Sequence, residues 1–225
     1  MVKQVHGAWL PDREDYLVND IAASPRFAGG PSVQLKKYLA ALPYVRQYRH
    51  AVDIGGNIGL WTRVMAACFD RVTAFEPNPE VWEAFKLNNP AAMGPGATGT
   101  NSGIRLYAFA LGAEPAMLTL NTKLRSTGFT KVDAAGDLIV EQRTLDSFGL
   151  TEVDLIKIDV EGWEHNVVKG GIETIRRCKP VMIVEQKPGN AERQGLKQFG
   201  AVNLLKKWGA VQVADMAGDI IMRFP

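Results

Sequence analysis

The stretch AVDIGGNIGLWT, residues 51–62, decides the fold. Ala51–Ile54 is a short β-prone apolar run, glycines follow at 55, 56 and 59, and Trp61, Met65 and Cys68 then recur at helical spacing, on a helix that begins around Ile58. Strand, tight turn and helix succeed one another within a dozen residues. Glycines there let the backbone turn sharply and approach a ligand closely, while the first N–H groups of the helix stay free for an anionic group. By itself the pattern predicts a ligand-binding turn in an open α/β sheet, and dinucleotide enzymes use a similar device.

Outward from this turn, Arg71–Phe75, Ile104–Phe109, Leu155–Ile158 and Val181–Glu185 read as further strands, separated by helical stretches. Such alternation is the signature of βαβ units around a parallel sheet. The expected fold is therefore α/β, a Rossmann-like, doubly wound and mostly parallel sheet. It ends in an antiparallel hairpin, Gly209–Val213 and Asp219–Arg223, joined near Ala217-Gly218. Met117–Leu120 and Leu138–Arg143 read as an inserted hairpin, and Pro90 to Gly103 as a surface loop. Residues 1–48 read as an N-terminal helical cap, with a helix over Ser32–Tyr48 that places Leu35, Leu39 and Leu42 on one face; residues 49–225 form the main domain.

Composition bounds the function. The 225 residues, 46% hydrophobic and 22% charged, suffice for one α/β domain with a modest appendage. A net charge of +2 supplies no broad field for a phosphate backbone, so nucleic acid is not the default partner. Cys68 and Cys178 lack the companions of a zinc site and read as packing residues. The N-terminus has no apolar run of signal-peptide or membrane length, which favours a cytoplasmic setting without membrane partners.

Glu76 lies just past the second strand, where a carboxylate can accept hydrogen bonds from both hydroxyls of a ribose. The turn Gly55-Gly56-Asn57-Ile58-Gly59 lacks the G-x-G-x-x-G spacing used for a pyrophosphate, and Asp53 adds an acid suited to the cationic amino-acid end of S-adenosylmethionine. In the bland alternative Asp53 caps a turn and Glu76 is a solvated loop acid.

The sequence resembles the FkbM-type family of class I S-adenosylmethionine-dependent methyltransferases. The matching pieces are AVDIGGNIGLWT from Ala51, FEPNP from Phe75, FALG from Phe109, RTLDSF from Arg143, DLIKIDVEGWEHNVVKGG from Asp154 and PVMIVE from Pro180. The resemblance implies that Asp53, Gly55, Asn57 and Gly59 surround the methionine portion of the cofactor. It further implies that Glu76 holds the ribose, Pro77 and Asn78 lie near the adenosine, and Ala110 near the adenine. Gly56 stands where the family more often has Ala. Residues 1–48 match no part of the family pattern.

Ligands of open α/β sheets bind beyond the carboxyl ends of the strands, which puts the chemistry at LIKIDVEG and at Glu185. Strand alternation sets Lys157 and Asp159 on one side, and a lysine inside a central strand needs a partner, for which Asp159 is nearest. Asp159 is the leading candidate for base or acceptor-orienting group, with Glu161, His165 and Lys157 beside it. In the plainer alternative, Glu161 and Glu164 favour the positive end of a helix starting near Gly162, and His165 is an exposed helical residue. Trp163, Val167, Val168 and Ile172 form a packing stripe. Asp159 and Glu185 can also share a divalent cation, although two acids are few for a site. The leading function is O-methylation of a hydroxyl on a small or carbohydrate-like acceptor. The alternatives are an RNA ribose 2′-O-methyltransferase, a nucleotide-linked oxidoreductase, and a catalytically idle cofactor-binding module.

Overall fold

The computed structural model describes residues 1–90 and 103–225. In chain order the elements are β1 (Val2–Val5), β2 (Ala8–Pro11), α1 (Tyr16–Ala23), α2 (Leu35–Ala41), β3 (His50–Ile54), α3 (Leu60–Ala66), β4 (Arg71–Phe75) and α4 (Trp82–Asn88). There follow β5 (Ile104–Tyr107), β6 (Ala110–Leu111), β7 (Ala116–Asn121), β8 (Lys131–Val132), β9 (Leu138–Arg143) and β10 (Val153–Ile158). The chain continues through α5 (Glu164–Lys169), α6 (Ile172–Cys178), β11 (Val181–Glu185), α7 (Asn190–Arg193), α8 (Gly200–Lys207), β12 (Val211–Met216) and β13 (Asp219–Arg223).

Seven strands form the central sheet in the order β12-β13-β11-β10-β3-β4-β5. All neighbours from β11 to β5 run parallel, and only β13 and β12 are antiparallel. Alternation sorts the strands into two cores. Val52, Ile54, Ile156, Ile158 and Val184 pack under Val167, Val168, Ile175, Val202 and Leu205. Ala51, Leu155 and Ile183 face Trp61, Val64, Met65 and Phe85. Both faces are covered, which is why these strands read as nearly unbroken apolar runs.

The hairpin expected between the third and fourth long strands exists as β7 and β9, in register Met117↔Glu141 to Leu120↔Leu138, but belongs to a four-stranded sheet ordered β6-β9-β7-β8. The third long strand ends at Tyr107 rather than Phe109, because the chain leaves at Ala110 to pair parallel with β9. The last hairpin turns at Ala217-Gly218, with φ of 58° and 91°, and its first strand is Val211–Met216 rather than Gly209–Val213, since Gly209 (φ 95°) ends the preceding helix. The loop expected over Pro90 to Gly103 lies almost wholly outside the described residues. Both cysteines are free and pack, partly buried, against the two cores.

The N-terminal segment departs furthest from expectation. It opens with an antiparallel hairpin, β1 with β2, followed by α1, so a purely helical cap is corrected. The helix expected over Ser32–Tyr48 is confined to Leu35–Ala41 and tightens into a 3-10 turn over Leu42–Tyr44. Pro43 has no N–H to continue an α-helix. Leu35, Tyr38 and Ala41 are its buried residues, while Leu39 is exposed. Ala8, Leu10 and Ile21 form a core with Ile58, Leu60, Val81 and Ala84. Asn88 stitches this contact: its amide donates to Trp9 O (2.9 Å) and Ile58 O (2.8 Å), and its Oδ1 accepts from Trp9 N (2.8 Å). Lys37 reaches Asp219 at 2.5 Å, fastening α2 to β13. Among the described residues no helix is long and apolar enough to cross a membrane.

Because three backbone groups lose their partner together, Asn88→Ala lowers the unfolding free energy by about 2–4 kcal/mol. Urea denaturation followed by tryptophan fluorescence measures it, and an unchanged midpoint refutes the stitching role.

Candidate functional site

The parallel strands all end on one side of the sheet, and a cavity of about 1340 Å³, counted out to its mouth, opens there. Its floor is the glycine turn. Gly55 has φ +80°, and its N–H, with that of Gly56, donates to Phe75 O at 3.0 and 3.1 Å. A Cβ on Gly55 would lie 1.9 Å from the carbonyl oxygen of Asp159, so only glycine lets the turn pass beneath the end of β10. The turn delivers its helix slightly later than expected: α3 starts at Leu60 after Gly59, also at φ +80°.

Lys157 locks this crossing. Its ammonium donates to Gly55 O (2.9 Å) and lies 3.4 Å from Asp53 Oδ1 and 3.6 Å from Asp159 Oδ2, so Asp159 shares it with Asp53 and with the turn itself. Burial opposes the charge on Lys157, but Asp159, Asp53 and Glu185 outweigh it and hold the pKa above the ordinary lysine value. The Asp159 carboxyl also loses solvent, yet Lys157, Lys187 and Lys37 pull its pKa below the usual carboxylate range. Asp53, with no exposed surface, is pushed up by burial against the pull of Lys157; its Oδ2 accepts from Thr62 Oγ1 at 2.7 Å.

Glu76 faces the cavity from the end of β4. Its Oε2 accepts from Asn57 N and its Oε1 from Asn78 N, each at 2.8 Å, and each oxygen keeps a further lone pair. Burial pushes its pKa up to about 7, against the opposing effect of those two N–H groups. Asn57, at φ 45°, carries a buried Oδ1 that receives no hydrogen bond.

Across the cavity Asp159, Glu161 and Glu185 each bring one carboxylate oxygen within 4.8 Å of the others. Asn190 Nδ2 donates to Glu161 Oε2 (2.9 Å) and Glu185 Oε2 (3.2 Å), and Lys187 pairs with Glu185. Burial and the neighbouring Asp159 raise Glu161 to about 7, and burial with Asp159 and Glu161 raises Glu185 as well. The three oxygens have the separation of a cation site, although two lysines already supply positive charge there.

Of the residues singled out in the sequence, Gly55, Gly56, Asn57, Glu76, Pro77, Ala110, Lys157, Asp159 and Glu161 line this one cavity. Asp53 sits beneath the turn. Gly59 serves close packing, since a Cβ would meet Asn89 Nδ2 at 2.3 Å and Phe85 Cδ2 at 2.7 Å. Asn78 lies behind the wall: its Nδ2 donates to Thr130 Oγ1 (3.4 Å), a lining residue, and its Oδ1 accepts from Glu80 N. His165 does not join the cluster: α5 aims it at α8, into a separate cleft lined by Lys197, Asn203 and Lys207. Glu164 stands in the first turn of α5, as the helix-end reading has it. It is buried, and its Oε1 accepts from Val160 N (3.1 Å) and Gly162 N (3.0 Å), folding the chain after Asp159.

Sequence reasoning missed Asn190, and it missed Tyr16, Gln34 and Phe129, which reach the cavity from α1, the start of α2 and the insert. It also read Trp163 as packing alone, whereas this indole lines the wall and donates to Gln142 Oε1 at 2.8 Å. No local motif marks these residues, because each is brought in by a distant segment.

Glu76, Glu161 and Glu164 each move from 4.5 to about 7 on folding. The native state therefore binds more protons than the unfolded chain across that interval, and stability falls as pH rises through it. His50, lowered by burial, opposes this only below 6.5. The thermal midpoint of the ligand-free protein should drop between pH 5 and 7.5, with a shallower slope in Glu164→Gln; a flat or rising midpoint contradicts the buried-acid account.

Several known proteins resemble this chain in sequence or in fold. Methyltransferase 1 of Beauveria bassiana is 28% identical over 148 residues, which cover 53% of this chain and 57% of that protein. Hexuronic acid methyltransferase AglP of Haloferax volcanii is 27% identical over 138 residues, covering 58% of this chain and 53% of its own. The chain thus spans about half the length of the curated relatives it matches. The crystal structure of methyltransferase FkbM from Methylobacillus flagellatus shares the fold, with a TM-score of 0.52 at 16% identity over 79% of this chain and 43% of that one. Residues 53–217 match the methyltransferase FkbM domain, and the chain belongs to that family.

Proposed function

We propose that the protein is an S-adenosylmethionine-dependent O-methyltransferase that methylates a hydroxyl of a small or carbohydrate-like acceptor. The observation that carries this reading is the pairing, in one cavity, of Glu76 beside the glycine turn with Asp159 at the next strand end. The residues fit the cofactor. Glu76 has two lone pairs for ribose hydroxyls, the orphaned Asn57 Oδ1 offers an acceptor to an ammonium, and the glycines leave the floor bare. Ala110 and Phe109 offer an apolar wall for adenine, with Pro77 beside it. The hexuronic acid acceptor named for the Haloferax relative supports a carbohydrate-like substrate.

The cofactor supplies a sulfonium methyl group as electrophile, leaving the protein to orient the acceptor, exclude water and take a proton. Asp159, held ionised by the lysines around it, accepts a hydrogen bond from the acceptor hydroxyl and aims an oxygen lone pair. Methyl transfer, with the S–CH3 bond broken and the thioether S-adenosylhomocysteine as leaving group, would make that oxygen strongly acidic, and its proton would pass to the Asp159 carboxylate. A low pKa is adequate for this late transfer. Lys157 fixes the position of Asp159, while Glu161 and Glu185 border the acceptor side. Residues 1–48 serve as the substrate-side extension.

Calorimetry should detect S-adenosylhomocysteine and show no response to NAD; the reverse result overturns the reading. Ionised Glu76 is the form that accepts from both hydroxyls, so affinity should weaken below pH 7, by up to about tenfold per unit. Glu76→Gln should weaken binding about 10–100-fold and abolish that pH dependence. With an acceptor found by labelled-methyl screening of hydroxylated metabolites, glycans and short RNAs, Asp159→Asn should cut turnover about 100–10,000-fold, well beyond its effect on cofactor affinity. Equal losses in both would make Asp159 a cofactor ligand only.

A further inference from the structure

The two halves of the cavity differ in character. The inner half is the glycine turn, Glu76 and Ala110. The outer half is built from chain segments more than a hundred residues apart, helix α1 and the insert turn before β8.

Two aromatic side chains meet at this mouth. The rings of Tyr16 and Phe129 lie 4.9 Å apart at 57°, with the Arg125 guanidinium 5.4 Å from the Tyr16 centroid. Tyr16 remains 40% exposed, so the fold leaves apolar surface uncovered where burying it would stabilise the chain. The pair is nonetheless rigidly assembled. Glu14, buried, accepts from Tyr16 N (2.8 Å) and Leu17 N (3.0 Å) on one oxygen, and on the other from Ser126 Oγ (2.8 Å), Thr127 N (2.6 Å) and Thr127 Oγ1 (2.8 Å). Arg13 adds hydrogen bonds to Thr122 O and Leu124 O, both 2.8 Å, and an ion pair with Glu80. A carboxylate with five donors makes a fixed wall rather than a loose flap.

We propose that Tyr16 and Phe129 form the acceptor subsite and determine its specificity for a single sugar ring, which stacks its C–H face on them and turns a hydroxyl toward Asp159. The inference rests on the methyltransferase reading above. Asp20, Gln34 and Lys187 also line the cavity and offer hydrogen-bonding groups to the remaining hydroxyls. A tilted aromatic pair in a cavity that also presents Asp20, Gln34 and Lys187 suits a polyhydroxylated ring better than a flat apolar one, which would leave those groups unpaired. Glu14 and Arg13 act as positioning residues that bring the two rings together.

The test uses the full chain saturated with S-adenosylhomocysteine and saturation-transfer NMR against methyl glycosides of neutral hexoses and hexuronic acids. Wild type should transfer saturation to at least one glycoside; Tyr16→Ala and Phe129→Ala should each weaken the signal at least fivefold, while Tyr16→Phe restores it. Calorimetric affinity for S-adenosylhomocysteine should stay within twofold in all variants, which also shows that they fold. Glycoside signals that persist in both alanine variants overturn the proposal, as does a cofactor-saturated wild type that engages no glycoside. Failure to bind S-adenosylhomocysteine at all would instead sink the methyltransferase reading.

Discussion

The ammonium of Lys157 is the interaction on which the rest of the structure depends. It lies on β10, flanked in register by Asp53 on β3 and Ile183 on β11, in the middle of a sheet covered on both faces. An isolated charge there would cost several kcal/mol. Asp53, Asp159 and the carbonyl of Gly55 make it tolerable, and in doing so they fix three things at once: the register of two central strands, the height of the glycine turn and the direction of the Asp159 side chain. Loss of any partner leaves a buried charge uncompensated, so the cluster behaves as one unit.

Its electrostatic reach extends across the cavity. Burial first, and then the negative charge of Asp159 that the lysines hold ionised, raise the pKa of Glu161 and Glu185, so these two carboxyls retain protons into the neutral range. One side of the cavity thus carries acids in two protonation states within a few ångströms. Asn190 accommodates either state, since its amide donates to both glutamates from a single nitrogen.

The parallel core was legible because its causes are local. Apolar runs buried on both faces, glycines where a side chain would strike the Asp159 carbonyl, and an Ala-Gly turn before the last strand all announce themselves within a few residues. The cap was illegible for the opposite reason. Glu14 looks like any acid in a charged N-terminal run until Thr127, 113 residues away, supplies its donors. His165 was misjudged because a helix rotates about 100° per residue: Glu164 points inward and its neighbour toward α8. Trp163 carried a packing signal that was correct as far as it went, and its bond to Gln142 depends on an insert whose sheet partners no periodicity reveals.

The stitching of the N-terminal segment also joins stretches of chain that lie far apart in sequence. Glu14 and Arg13 need residues 122–127, and Tyr38 packs in the core that includes Ile221 while Lys37 pairs with Asp219. Closing loops of that length carries an entropic cost that only preformed partners repay. The partners of residues 1–48 are spread over most of the chain: Ala8 and Leu10 are covered by residues 58–84, whereas Glu14 and Lys37 find their long-range partners at residues 126–127 and 219.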